Sequence, residues 1–95
     1  MNTCVILPTY NERDNIGEIV SRLFAVLPDF RVLVVDDNSP DGTAEAVRSL
    51  QKSFPRLDLL FRPTERGYGS AYLAGFRRVI ESGSSGVILM MDADL

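Results

Sequence analysis

The alternation of short apolar runs with helical patterns most strongly constrains how this chain can fold. Four runs rich in β-branched residues or leucine occur at residues 4–7, 32–35, 57–61 and 87–91. The first, second and fourth runs are continuously apolar, which predicts strands buried on both faces of a parallel sheet. Because a helical pattern separates each pair of runs, the order β-α-β-α-β-α-β predicts an α/β domain with a mainly parallel sheet and helices on both faces.

Three amphipathic helices are predicted between these runs. We expect the first helix to have Asn11 as its N-cap and to end at Pro28. The second is predicted to begin near Ser39 or Asp41, either of which can cap it, and to end at Pro55. The apolar stripes that predict the helices are Ile16, Ile19, Val20, Leu23 and Leu27 in the first, Val47, Leu50 and Phe54 in the second, and Tyr72, Leu73, Phe76, Val79 and Ile80 in the third.

Composition excludes several classes of protein. The 95 residues are 45% hydrophobic and 24% charged, with a net charge of −3. These values are typical of one small soluble domain and argue against a nucleic-acid polymer or an anionic membrane as its main partner. The absence of histidine excludes a His-based triad or a His-rich zinc site in these residues. The lone Cys4 cannot form an intrachain disulfide, which fits a reducing compartment, and we expect a cytoplasmic location. No apolar run in these residues approaches the roughly 20 that span a bilayer.

Polar clusters follow all four predicted strands, where open α/β sheets bind their ligands. The clearest of them is Asp92-Ala93-Asp94, directly after the fourth run. Residues i and i+2 of an extended chain point the same way, so the two carboxylates can meet at one point and hold Mg²⁺ or Mn²⁺. A metal that binds there implies a nucleotide diphosphate as its partner. The alternative is that both aspartates only cap a turn or a helix.

Other loop residues have both a functional and a structural interpretation. A carboxylate buried at a strand end needs hydrogen-bond donors, and we choose Asp37 as the group that accepts from a base edge or a ribose hydroxyl. Tyr10 can stack on a base or simply pack, and Glu12 can equally be a first-turn helix residue. Arg62 and Arg66 can contact phosphate, although surface arginines usually face water. No P-loop is present, and Gly67 and Gly69 lack the third glycine of a dinucleotide fingerprint.

With these residues in view, the chain resembles the amino-terminal half of the catalytic domain of glycosyltransferase family 2, which has a Rossmann-like GT-A fold. Four segments carry the resemblance, at 7–12, 35–43, 67–75 and 91–95, and the second is close to a signature of the polyprenol-phosphate branch. Tyr68 stands where that branch often has leucine. The resemblance makes residues 1–95 the nucleotide-sugar-binding portion of a GT-A domain, and we expect a longer parent that continues after the D-x-D motif.

The resemblance also implies a reaction and a set of site residues. A sugar, with mannose from GDP-mannose favoured, would move with inversion to a polyprenyl (dolichyl) monophosphate. Contact with the membrane would come through the acceptor lipid or through further parts of the protein, at the cytoplasmic face. An exposed sheet edge predicts self-association into a homo-oligomer. By position, the residues implied to hold the nucleotide are Pro8, Tyr10, Glu12, Val35, Asp37 and Ala93, and the catalytic metal ligands are Asp92 and Asp94.

Two alternatives to mannosyl transfer stay open. A relative in the same family would use a UDP-sugar for an undecaprenyl-phosphate or polysaccharide acceptor. A non-catalytic nucleotide- or Mg²⁺-binding regulatory module would resemble a receiver domain, whose acidic pocket Asp36 and Asp37 superficially fit. The 95 residues alone are expected to be inactive in transfer.

Overall fold

The computed structural model describes residues 3–64, 67–82 and 86–91 as four strands and three helices in the predicted order. The strands are β1 (Thr3–Thr9), β2 (Arg31–Asp36), β3 (Leu57–Phe61) and β4 (Val87–Met90), and the helices are α1 (Arg13–Val26), α2 (Thr43–Leu50) and α3 (Tyr68–Glu81). None of the helices in these ranges is long and apolar enough to cross a membrane.

The sheet has the strand order β3-β2-β1-β4, and every pair of neighbouring strands is parallel. The predicted parallel sheet is therefore confirmed. The chain moves outward from β1 to β2 and β3 and then returns to the other side of β1 to form β4. Strand order consequently reverses between β1 and β4, and ligands of open α/β sheets bind at the carboxyl ends of strands beside such a reversal.

Helices cover both faces of the sheet, as predicted. Side chains alternate along each strand, so every central strand contributes residues to a core on each face. Val5 and Leu7 of β1 join the core beneath α1 and α2, whereas Cys4 and Ile6 join the core beneath α3. Strand β2 divides in the same way. Burial and the nearby carboxylate of Asp58 raise the pKa of the Cys4 thiol, which agrees with a buried strand residue that packs and does not react.

The burial predicted for the fourth strand is wrong. Val87, Leu89 and Met90 are 40%, 43% and 54% exposed, and only Ile88 packs against the core beneath α3. The reason is position, since β4 is the end strand of this sheet and bonds only to β1 among the described strands. A continuous apolar run predicts a strand, but it does not tell on which side neighbours lie.

The predicted limits of the first two helices need correction. Asn11 is not the N-cap of α1; Glu12 occupies that position, while Asn11 has a left-handed φ of 58°. Helix α2 begins only at Thr43, after Gly42 with φ 88°, and it ends at Leu50 well before Pro55. The turn that precedes α2 therefore takes up residues that the sequence assigned to the helix.

Helix α3 lies closer to the sheet than its apolar pattern predicts. Leu73 and Ile80, which were predicted for its inner stripe, are 63% and 61% exposed. The buried positions are Ala71, Gly75 and Val79. A methyl group built on Gly75 would lie 2.7 Å from Cγ2 of Ile6, so the missing side chain allows the helix backbone to approach β1.

Candidate functional site

The loops after β1 and β2 are joined at the carboxyl edge of the sheet by a buried carboxylate. Asp36 is fully buried and lies opposite Thr9 in the strand register. Its Oδ1 accepts hydrogen bonds from the hydroxyls of Thr9 (2.8 Å) and Ser39 (2.6 Å), and its Oδ2 accepts from the Ser39 backbone N–H (3.1 Å). Three donors satisfy this buried carboxyl group, so Asp36 holds the two loops together.

The start of α1 is capped by side chains that lie 28 to 31 residues later in the sequence. The backbone N–H of Asn11 donates to Ser39 Oγ (2.9 Å), and that of Glu12 donates to Thr43 Oγ1 (3.0 Å). The N–H of Arg13 donates to Asp41 Oδ2 (3.1 Å). Helix N-termini leave such donors without internal partners. Here the second loop satisfies them, which fixes the segment Tyr10-Asn11-Glu12 relative to the end of β2.

Asp41 serves two helices at once. Its Oδ2 accepts from the Arg13 N–H at the start of α1, and its Oδ1 accepts from the Thr43 N–H (3.0 Å) at the start of α2. Partial burial raises the pKa of the Asp41 carboxyl, but the Thr43 hydroxyl, these two N–H groups and the Arg13 charge outweigh it, and the net pKa is lowered. The folded protein therefore favours the ionised form of Asp41.

We predict that removing Asp41 destabilises the joined loops in a pH-dependent way. D41A should lower the free energy of unfolding at pH 7 by about 1–2 kcal/mol, which is typical of a lost N-cap. Because the folded-state pKa is the lower one, the charge contributes stability above the unfolded value of about 3.9 and loses it as pH falls through the folded value. The stability difference between wild type and D41N, measured by urea unfolding, should thus narrow from pH 6 to pH 3. A difference that stays constant would contradict an electrostatic role.

The neighbouring carboxylate, Asp37, points to the opposite face of the sheet and forms a buried ion pair. Arg62 Nε donates to its Oδ1 (2.6 Å), and Arg62 Nη2 donates to its Oδ2 (2.8 Å). The side chains of Arg62 and Asp37 are only 5% and 8% exposed. The donor that the sequence analysis sought in a ligand is thus present in the protein, and the prediction that Arg62 faces phosphate or water missed this contact. The sequence contained a signal for this contact. Asp37 and Arg62 each directly follow one of two neighbouring strands, and buried charges are usually paired.

The structure brings the residues of the first two motifs together. Pro8 and Val35 are buried at neighbouring positions of β1 and β2, and Val35 packs into the core beneath α3. Tyr10 and Glu12 are half-buried in the loop that follows β1. The predicted residues Asp92, Ala93 and Asp94, like Arg66, lie outside the described residues.

Strand β4 ends just before the predicted metal-binding motif in the sequence. The Met91 N–H donates to the Ile6 carbonyl oxygen (3.1 Å), so β4 stays paired with β1 up to the residue before the D-x-D motif. In residues 3–64, 67–82 and 86–91, no group of three or more acidic, cysteine or histidine side chains could hold a metal ion. The carboxylates of Asp92 and Asp94, which follow directly in sequence, are the oxygen donors that Mg²⁺ and Mn²⁺ prefer. The donor chemistry fits a hard divalent cation.

Comparison with known proteins places the chain among sugar transferases. The sequence profile of the family described as glycosyl transferase family 2 matches residues 4–95. Polyprenol monophosphomannose synthase from Mycolicibacterium smegmatis is 46% identical over 93 residues, which cover 97% of this chain and 35% of that protein. This chain thus spans about a third of the length of that relative.

Solved structures with the same fold hold different nucleotide sugars. The mannosyltransferase PcManGT from Pyrobaculum calidifontis, in complex with GDP-Man and Mn²⁺, superposes with a TM-score of 0.82 at 31% identity. TarS from S. aureus, in complex with UDP-GlcNAc, gives 0.78 at 27% identity. The alignments cover 98% and 99% of this chain and 27% of each solved chain. The predicted GT-A fold is confirmed.

Proposed function

Since this chain belongs to glycosyl transferase family 2, we propose that it forms the nucleotide-sugar-binding part of a metal-dependent, inverting sugar transferase. The favoured donor is GDP-mannose, and the favoured acceptor is a polyprenyl monophosphate. The observation that carries the proposal is the joining of the loops after β1 and β2 by Asp36, Ser39, Asp41 and Thr43. It holds the proposed nucleotide-binding residues of the loops after β1 and β2 at one edge of the sheet, beside the reversal of strand order.

The proposed roles follow from the chemistry of these side chains. Asp37 would accept hydrogen bonds from the nucleoside, and the half-buried Tyr10 would lie against it. Asp92 and Asp94 would hold the metal, which supplies positive charge where negative charge builds on the departing diphosphate. A phosphate acceptor is already an anionic nucleophile. The proposed reaction therefore needs no histidine base, which agrees with a sequence that has none.

Two other readings can be weighed against this one. A UDP-sugar donor is supported by the likeness to TarS, whose complex holds UDP-GlcNAc. The receiver-like regulatory module is disfavoured, because Asp36 and Asp37 point to opposite faces of the sheet and cannot share one acidic pocket. Three further points stay predictions: membrane contact through the acceptor, a site at the cytoplasmic face, and self-association through an exposed sheet edge.

Nucleotide titration tests the proposal. We expect GDP to bind in the presence of Mn²⁺ and to shift the backbone amide resonances of Tyr10, Asp37 and Asp92, with weaker binding when Mn²⁺ is absent. D92N should abolish the dependence on Mn²⁺. D58N is the matched control, because Asp58 is the second residue of β3, at the opposite edge of the same sheet. Preference for UDP would transfer the proposal to the UDP-sugar branch, and no binding of either nucleotide would refute it.

A further inference from the structure

Arg62 connects three segments at the carboxyl edge of the sheet. Its guanidinium donates hydrogen bonds to both carboxylate oxygens of Asp37, which follows β2. The same Nη2 that bonds to Asp37 also donates to Ser70 Oγ (3.1 Å) and to the Gly67 carbonyl oxygen (3.4 Å) at the start of α3. Its backbone N–H donates to the carbonyl of Asp36 (2.8 Å). Asp37 is consequently held in a fixed relation to the first turn of α3.

The two-pronged contact determines how the Asp37 carboxylate is presented. A guanidinium that donates two parallel hydrogen bonds fixes both the position and the plane of the carboxylate, which a lysine ammonium cannot do. An ionised carboxylate has about four lone-pair sites, and in the described part of the chain Arg62 uses one on each oxygen of Asp37, so about two remain for a ligand. The remaining acceptor sites keep a defined direction, at almost complete burial.

We propose that Arg62 is a positioning residue for nucleotide binding, which orients Asp37 so that its free acceptor sites meet the nucleoside. The inference rests on the proposed function, because Asp37 is a binding residue only if the site takes a nucleotide. Arg62 itself acts through Asp37, and its contacts with Gly67 and Ser70 set the angle of the guanidinium. Loss of the paired hydrogen bonds between Arg62 and Asp37 therefore weakens binding of the nucleoside and not of the metal-bound diphosphate.

The chain contains a natural control for this contact. Arg31 and Asp58 also pair across β2 and β3, at 3.1 Å, but at the opposite edge of the sheet and with both side chains about half exposed. R31K makes the same arginine-to-lysine change in an ion pair that joins β2 and β3. It should leave nucleotide binding unchanged.

The test compares two probes on wild type, R62K, S70A and R31K. We expect R62K to weaken binding of GDP with Mn²⁺ about tenfold, because lysine keeps the charge but cannot donate two parallel hydrogen bonds. Binding of pyrophosphate with Mn²⁺ should weaken by less than about twofold. S70A removes one exposed hydroxyl beyond the guanidinium and should weaken only GDP, by about two- to threefold. Calorimetry below the lowest unfolding temperature of the four proteins gives the affinities of folded protein.

The outcomes separate this inference from the proposed function. If wild type binds GDP with Mn²⁺ and R62K and S70A bind equally well, the positioning role is overturned and the proposed function stands. An equal loss for GDP and pyrophosphate would mean a general distortion, which also overturns it. If wild type binds no nucleotide, the proposed function fails and the inference fails with it. Selective loss of GDP binding in R62K, with R31K unchanged, supports the positioning role.

Discussion

Replacing Arg62 by methionine is expected to lower the free energy of unfolding by about 3–5 kcal/mol. The substitution leaves the carboxylate of Asp37 buried without its counter-charge, since both of its oxygens bond to Arg62 and its side chain is only 8% exposed. Such a charge costs far more than the lost contact itself. Urea unfolding followed by far-UV circular dichroism measures the change.

Two controls identify the cause of that loss. R31M breaks the half-exposed pair with Asp58 and should cost only about 0–1 kcal/mol, the usual range for surface ion pairs. Combining R62M with D37L removes both buried charges and should recover most of the lost stability. Equal losses in R62M and R31M would show that burial of the ion pair has no special importance.

Replacing Gly75 by valine is expected to lower the free energy of unfolding by about 3 kcal/mol, the upper end of the usual cost of overpacking a core. The first added carbon would already lie 2.7 Å from Cγ2 and 3.2 Å from Cδ1 of Ile6, which is fully buried. Because the Ile6 side chain is fully buried and cannot move into solvent, α3 must shift away from β1 to accept the valine. Thermal and urea unfolding should both report the loss.

The matched control for this prediction is another helical glycine. A methyl group on Gly17, in the middle of α1, meets nothing within 4 Å. G17A should therefore raise stability by about 0.5–1 kcal/mol, because alanine favours the helix more than glycine does. If G75V proves as stable as wild type, the close approach of α3 to β1 is not a constraint on this fold.

The order of elements and the parallel sheet could be predicted because they depend on local periodicity. In this chain the continuous apolar run at 32–35 lies in a strand, and the spacing of Ile16, Ile19 and Val20 lies in a helix. The alternation of both then leaves few topologies. The motif residues after β1 and β2 lie together, because parallel strands put their carboxyl ends at one edge.

The sequence by itself therefore determined the fold class and the edge of the sheet at which the first two motifs lie. Only the tertiary structure decided which groups meet there. The capping of α1 by Ser39, Asp41 and Thr43 and the burial of Arg62 against Asp37 join residues 25 to 31 positions apart. The exposure of β4 likewise depends on its place at the end of the sheet. Hydrogen bonds and ion pairs act over about 3 Å, so they depend on strand order and register, which no local pattern encodes.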